Sequence, residues 1–163
     1  AERLTGQKGE SFSNAAMQWG VDKEPEARSA YTFRTDCDVV EIGFIDHPTI
    51  AMTGASPDGL VGDDGMVEFK CPNTATHLDT LQSETVPTKK LTHMQCHISF
   101  ACRGWCDFVS YDPRLPEAMR LFIKRVPRDD AMISELEREV SAFLDEVEKR
   151  VADLSARYAK ESV

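Results

Sequence analysis

The stretch from Gly54 to Pro72 constrains the fold more than any other part of the sequence. It begins with a Pro-Asp-Gly turn centred on Asp58, and the run Asp63-Asp64-Gly65 is typical of a second turn, which leads into a β-prone segment. These signals predict a hairpin in which Asp58 lies at the end of one strand and Glu68 lies within the next. The two carboxylates are therefore expected to face each other.

Residues 68–70 alternate in character, and this alternation predicts how their side chains are arranged. Successive side chains of a strand point to opposite faces, so Glu68 and Lys70 share one face while Phe69 points into the core. Two carboxylates and the carbonyl of Phe69 form an oxygen-rich site that suits Mg²⁺. Lys70 would hold or activate a water molecule beside it. Taken singly, a turn Asp and a Glu-x-Lys pair are common on solvated surfaces, and only their combination favours a metal site.

Ser56-Pro-Asp-Gly-Leu-Val61 and Val67-Glu-Phe-Lys-Cys-Pro72 resemble the core of the PD-(D/E)xK nucleases, specifically the phage lambda-type exonuclease family of YqaJ-like viral recombinases. The resemblance extends over most of the chain. Residues 19–28 are similar to a helix of that family that carries an additional acidic residue, here Glu24. Gln95 occupies the position of a glutamine on a helix above the active site, and residues 111–114 resemble a strand-end motif.

The resemblance implies a mixed α/β fold with a restriction-endonuclease-like core, in which helices flank a curved mixed β-sheet. We expect residues 1–163 to form a single nuclease domain that includes an amphipathic helix over residues 128–160. The family also has a preceding helical segment with an Arg and a Ser that grip the 5′ end of the DNA. We expect this chain to lack that segment, because the sequence begins at Ala1.

The activity implied by the resemblance is Mg²⁺-dependent, processive 5′→3′ digestion of one strand of linear double-stranded DNA. The product would be a 3′ single-stranded overhang for a single-strand annealing protein, and the chain would form a homo-oligomer, by resemblance a trimeric ring. Two Mg²⁺ ions are expected, with Mn²⁺ able to substitute. The implied catalytic residues are Asp58, Glu68, Lys70, Glu24 and Gln95; the implied metal ligands are Asp58, Glu68, the Phe69 carbonyl and Glu24; Ser56 is a candidate contact to DNA phosphate.

Alternatives remain open for the residues that rest on the resemblance alone. Glu24 also fits a carboxylate in the first turn of a helix that interacts with the helix dipole, and Gln95 also fits a surface glutamine. Two other functions are also open. One is a structure-specific or restriction-like endonuclease with the same Asp, Glu and Lys, and the other is an inactive nuclease-fold module that binds DNA or assembles with partners.

A second group of potential metal ligands lies in the window from His93 to Cys106, which also contains Cys96, His97 and Cys102. Zinc sites usually place Cys or His pairs in tight turns, whereas these residues follow a helical pattern and then a strand. Cysteine in such elements behaves as a small buried hydrophobic residue. The pattern therefore favours core residues over a structural zinc or iron–sulfur site.

The composition limits the class of protein but does not decide its substrate. The sequence contains no apolar run long enough to span a membrane, and its five cysteines are odd in number and irregularly spaced. This usage is typical of a reduced cytoplasmic protein, in the host cell if the chain is phage-encoded. The net charge of −9 opposes DNA binding only superficially, because the distribution of charge matters more than its sum.

The local patterns also predict the elements around the hairpin. We expect a loop over residues 1–10, a helix capped by Ser11 or Ser13 that Pro25 kinks or divides, and two antiparallel strands over residues 39–46 and 50–55. Further helices are expected over residues 74–81, 89–102 and 128–158, and further strands over residues 105–111 and 121–126.

Overall fold

The computed structural model describes residues 2–7 and 14–158. The described residues divide into two compact units, one formed by residues 14–133 and the other by residues 2–7 together with 134–158. The larger unit contains all the strands that the structure describes, together with both hydrophobic clusters.

A five-stranded mixed sheet forms the centre of the larger unit, in the order β1-β4-β5-β6-β7. The pair β5–β6 is parallel and the other three pairs are antiparallel. A separate two-stranded antiparallel sheet joins β2 to β3. The strands are β1 (Val39–Val40), β2 (Ile45–Asp46), β3 (Gly54–Ala55), β4 (Gly59–Val61), β5 (Gly65–Lys70), β6 (Trp105–Tyr111) and β7 (Leu121–Pro127).

Five α-helices and one short 3₁₀ helix accompany the strands in the part of the chain that the structure describes. Because β5 and β6 are parallel, the chain must cross over between them, and two helices form that connection. The helices are α1 (Glu2–Thr5), α2 (Ala15–Thr35), α3 (Thr74–Ser83), α4 (Thr88–Phe100), the 3₁₀ helix (Glu117–Met119) and α5 (Asp130–Tyr158).

The alternation of side chains along β5 divides the core into two clusters. Val67 and Phe69 pack with Ala27 and Tyr31 of α2, whereas Met66 packs with residues of α4. Glu68 has the same parity as Met66 and so lies on the face that α4 covers. The expected mixed sheet flanked by helices is confirmed, and the sheet buries β5 on both faces.

Several local predictions were wrong. The strand expected over residues 39–46 is interrupted, because β1 pairs with β4 while β2 pairs with β3. The expected loop over residues 1–10 contains the short helix α1. Of the two effects expected of Pro25, division of the first long helix is wrong, since α2 continues through it; there Ser29 Oγ donates to the Pro25 carbonyl.

The N-cap of α2 is Asn14, whose side chain accepts a hydrogen bond from Met17 N. The residues proposed as caps, Ser11 and Ser13, lie outside the described residues. The cap at Asn73 is as expected, with its side chain accepting from Thr76 N at 2.9 Å.

The smaller unit contains α1 and most of α5. Arg3 of α1 forms an ion pair with Glu148 of α5 at 3.6 Å, and Leu4 lies beside Leu154 and Tyr158. The end of the predicted 128–160 helix, residues 159–160, lies outside the described residues. None of the helices described is both long enough and apolar enough to cross a membrane.

Candidate active site

The predicted hairpin brings Asp58 against β5. The antiparallel register pairs Gly59 with Val67. Asp58, which directly precedes β4, therefore lies beside the end of β5. Its Oδ2 accepts a hydrogen bond from Phe69 N at 2.7 Å. The backbone of β5 therefore fixes the position of this carboxylate.

The Lys70 ammonium contacts both the Asp58 and the Glu68 carboxylates. Its Nζ lies 2.5 Å from Glu68 Oε1 and 3.7 Å from Asp58 Oδ2, and it donates to the Phe69 carbonyl at 2.9 Å. Asp58, Glu68, Lys70 and the Phe69 carbonyl thus form one cluster, as the hairpin and the strand alternation predicted.

Burial and mutual charge determine the protonation of this cluster. Burial, together with the negative charge of Glu68, raises the pKa of Asp58 above its ordinary value against the opposing effects of Lys70 and Phe69 N–H. Burial also opposes ionisation of Glu68, but contacts with His93, His97 and Lys70 outweigh it and hold its pKa low. The carboxylates raise the pKa of Lys70 despite its burial. Lys70 is therefore a cation that donates hydrogen bonds.

The donor set fits a divalent cation. Glu68 is 1% exposed, and its Oε2 has no hydrogen-bond partner among the described residues. A buried carboxylate oxygen without a partner is costly, and a bound cation would remove that cost. Oxygen donors from Asp58, Glu68 and Phe69 match the preference of Mg²⁺.

Glu24 lies on α2 at the edge of this cluster. Its Oε1 accepts from Arg28 at 2.9 Å, and the same guanidinium reaches the Asp58 carbonyl at 3.4 Å. The guanidinium of Arg28 also contacts the carboxylate of Glu41. Arg28 thus connects Glu24 to the Asp58 turn. The sequence analysis gave Arg28 no role beyond its place in the segment 19–28, although an Arg four residues after a Glu is a recognisable helical pair.

The other two predicted residues are not held in this cluster by any described contact. Gln95 is 3% exposed; its Nε2 donates to the Pro127 carbonyl at 2.8 Å and its Oε1 accepts from Asp129 N at 2.9 Å. It joins α4 to the end of β7, and its role toward water or phosphate stays a prediction. Ser56 is exposed two residues before Asp58, and its contact with phosphate also stays a prediction.

His93 and His97 are the residues that sequence reasoning did not place at the site. Four residues apart on α4, they lie on one face, with Nδ1 atoms 3.3 Å and 3.4 Å from the two oxygens of Glu68. They belonged to the window that the sequence assigned to core residues. The signal was the i, i+4 histidine pair on a helix, which is a known metal-binding spacing.

A groove of about 750 Å³ opens beside the cluster. Glu24 and Lys70 lie in its wall, with Met17 and Val21 of α2 along one side and Lys90 of α4 farther along. The groove gives a ligand access to Lys70 from solvent.

The family model of the YqaJ-like viral recombinase domain matches residues 1–103, which contain Glu24, Asp58, Glu68, Lys70 and Gln95. No curated protein sequence matches the chain significantly.

Solved structures of an alkaline exonuclease (LHK-Exo) from Laribacter hongkongensis are 51% identical to the chain. The complex with dAMP has a TM-score of 0.94 and the alignment covers 99% of this chain and 82% of that one. A second structure has a TM-score of 0.93, with coverage of 98% and 81%. A phage-related exonuclease from Haemophilus somnus 129PT, 15% identical, shares the fold with a TM-score of 0.76 over 94% of this chain and 79% of that one. The chain therefore belongs to the YqaJ-like viral recombinase domain family and is a nuclease.

Proposed function

We propose that the chain is a Mg²⁺-dependent 5′→3′ exodeoxyribonuclease that acts on linear double-stranded DNA ends and leaves 3′ single-stranded overhangs. The observation that carries this proposal is the convergence of Asp58, Glu68, Lys70 and the Phe69 carbonyl beside an open groove. A DNA-cleaving activity agrees with the exonuclease names of the relatives. Polarity and overhang come from the resemblance noted in the sequence.

The residues of the chain have distinct roles in this proposal. Asp58 and Glu68 would hold the cations together with the Phe69 carbonyl, and Glu24 would contribute to a second cation directly or through water. When bound, Mg²⁺ lowers the pKa of the attacking water and neutralises charge on the phosphate and on the leaving 3′ oxygen.

Lys70 positions the water that attacks the phosphodiester. Its ammonium is held by the Glu68 carboxylate, the Phe69 carbonyl and the Asp58 carboxylate, so its location is fixed before substrate binds. Such preorganised donors contribute most where charge develops in the transition state. The water gives a proton to bulk solvent and its oxygen bonds to phosphorus. The bond from phosphorus to the 3′ oxygen breaks, and that oxygen takes up a proton from solvent to leave as a hydroxyl.

Arg28 has a positioning role. It donates to Glu24 and to the Asp58 carbonyl, so it fixes the distance between α2 and the turn that carries the first carboxylate. Ser56, exposed beside that turn, is proposed to contact a DNA phosphate, and Gln95 is proposed to orient water or phosphate.

The partners follow from the same proposal. We propose a single-strand annealing protein as the recipient of the overhang, a homo-oligomeric and by resemblance trimeric assembly, and a location in the cytoplasm of the host cell. The odd number and irregular spacing of the five cysteines support a reducing compartment.

Digestion of linear duplex labelled separately at each 5′ and 3′ end tests the proposal directly. With Mg²⁺ we expect early loss of the 5′ label as a mononucleotide and late loss of the 3′ label, and no loss with chelator. Asp58→Asn is expected to abolish both releases while its circular dichroism spectrum stays that of wild type. Early release of the 3′ label would overturn the polarity, and internal cuts would favour an endonuclease. If the duplex stays intact, the remaining hypothesis is that the chain is an inactive DNA-binding module.

A further inference from the structure

We propose that Glu68, His93 and His97 form a binding site for a divalent transition-metal ion of the zinc class. The inference goes beyond the proposed function: it shares the Glu68 carboxylate with the nuclease centre, but it does not require hydrolysis of DNA.

The geometry of the three side chains carries the proposal. One ligand atom from each residue lies within 4.8 Å of the others. The histidine nitrogens are 3.3 Å and 3.4 Å from the Glu68 oxygens. In a tetrahedral site with bonds of about 2.0–2.1 Å, ligand atoms are separated by about 3.4 Å. The two nitrogen–oxygen separations, which involve different oxygens of Glu68, are close to this value, and the three side chains lie near enough to share one ion.

The contact between Glu68 and His97 is longer than an ordinary hydrogen bond. Separations of 3.3–3.4 Å are longer than the usual N–H···O distance of about 2.9–3.0 Å. Glu68 Oε2 and His97 Nδ1 are buried without a hydrogen-bond partner among the described residues, although they face each other at 3.4 Å. The two residues are 1% and 6% exposed. An ion between them would satisfy both atoms at once.

The helix supports the same conclusion. His93 and His97 are separated by one turn of α4, so their side chains project in the same direction, and their ring centroids are 4.0 Å apart. His93 is half exposed, whereas His97 is buried, so an ion would have a route from solvent past His93.

The ligand types determine the class of ion. Imidazole suits zinc and other first-row transition metals, while Mg²⁺ prefers oxygen donors. Two imidazoles and one carboxylate also match the three protein ligands of many catalytic zinc sites, which leave a fourth position open. The metal preference of this site thus differs from that of the oxygen donors of Asp58 and Phe69.

Binding of Co²⁺, a spectroscopic probe for such sites, tests the proposal without reference to activity. The full chain is stripped with chelator and titrated with Co²⁺ in excess Mg²⁺. We expect one equivalent to bind with visible d–d bands typical of four- or five-coordination, and Zn²⁺ to displace it. His93→Asn and His97→Asn should each weaken binding by at least about tenfold, since even residues outside the ligand shell cost roughly 10- to 100-fold.

Control variants separate this site from thiol ligation and from nonspecific binding of the ion. Cys96→Ser and Cys102→Ser test whether thiols on α4 or just after it bind the ion. Lys89→Ala is a control substitution at the exposed start of α4. All three variants should bind Co²⁺ as wild type does. Thiolate charge-transfer bands, or unchanged binding in both histidine variants, would overturn the proposal. Weak binding of several equivalents would mean an adventitious ion only and would also reject the site. Circular dichroism verifies that each variant is folded.

The result is also separable from the nuclease proposal. Asp58→Asn should lose DNA hydrolysis but keep Co²⁺ binding. If the wild-type protein degrades DNA with Mg²⁺ but does not bind Co²⁺, only the histidine site is rejected. If it binds Co²⁺ but does not hydrolyse DNA, only the nuclease proposal is rejected.

Discussion

At the scale of single residues, the contacts of Lys70 support its proposed role in catalysis most directly. Its ammonium reaches Glu68, Asp58 and the Phe69 carbonyl at once. Removing it leaves the buried Glu68 carboxylate without its closest cation and removes the donor proposed to hold water.

We expect Lys70→Ala to lower the rate of Mg²⁺-dependent DNA degradation by about 100- to 1,000-fold, the usual cost of losing a preorganised donor. The measurement is release of acid-soluble nucleotides from linear duplex at saturating Mg²⁺. Lys149→Ala, an exposed lysine of α5, is the matched control and should retain the wild-type rate. An equal rate in the Lys70 variant would remove Lys70 from the mechanism.

Gln95 allows a test between a structural and a catalytic role. Its amide satisfies the Pro127 carbonyl and Asp129 N, so Gln95→Ala should lower the free energy of unfolding by about 1–3 kcal/mol, the cost of unsatisfied buried groups. Urea denaturation measures this against Gln82→Ala, an exposed glutamine of α3.

The rate of the folded Gln95 variant then decides its proposed role. DNA degradation measured well below the unfolding midpoint should fall if Gln95 orients water or phosphate. A wild-type rate together with the loss of stability would mean that Gln95 only joins α4 to β7.

Asp112 gives a prediction for pH. Burial opposes its ionisation, but hydrogen bonds from Arg114 and Thr74 outweigh burial and lower its pKa to about 2, below the ordinary value of 3.8. A lowered pKa in the folded state stabilises the protein above the unfolded pKa, and this stabilisation is lost as pH falls through the folded pKa.

We therefore expect the free energy of unfolding of Asp112→Asn to be lower than that of wild type at neutral pH. The difference should narrow as pH falls from about 4 toward about 2. Denaturant titrations at several pH values measure it, with the exposed Asp79→Asn as control. A difference that stays constant over this range would mean that the charge of Asp112 does not contribute.

At the scale of elements, two glycines are predicted to respond in opposite directions to alanine. A Cβ on Gly65 would lie 2.1 Å from the Trp105 ring, where β5 pairs with β6, whereas a Cβ on Gly20 within α2 meets nothing within 4 Å. Gly65→Ala should lower stability by about 1–3 kcal/mol through overpacking. Gly20→Ala should raise it by roughly 0.5–1 kcal/mol through helix propensity. Thermal unfolding compares them; a stabilised Gly65 variant would contradict the tight packing of β5 on β6.

The elements also explain which local predictions failed. The run from Val39 to Asp46 has the composition of one strand, but its two ends pair with different partners and so form β1 and β2. Pro25 lacks an N–H, yet packing of Ala27 and Tyr31 in the core keeps α2 continuous. In both cases tertiary pairing outweighed a local signal.

At the scale of the whole molecule, the proposal of a ring that encloses DNA predicts a dependence on free ends. Linear duplex should be degraded, while the same DNA as a closed circle should persist until one restriction cut supplies ends. Agarose gels follow both substrates under identical conditions. Cutting of the closed circle at the linear rate would reject the exonuclease proposal.

Sedimentation should give three times the chain mass of 18.2 kDa, and a monomer would reject the ring.

The sequence by itself determined the hairpin and its chemistry, because both depend on neighbours in the chain. Turn residues placed Asp58, and the two-residue period of a strand put Glu68 and Lys70 on one face. Only the tertiary structure decided what faces Glu68. The helical period fixes His93 and His97 on one side of α4 and Gln95 on another, but packing against the sheet decides which side meets the carboxylate. The histidines therefore contact Glu68, whereas Gln95 binds the backbone at the end of β7 and just after it.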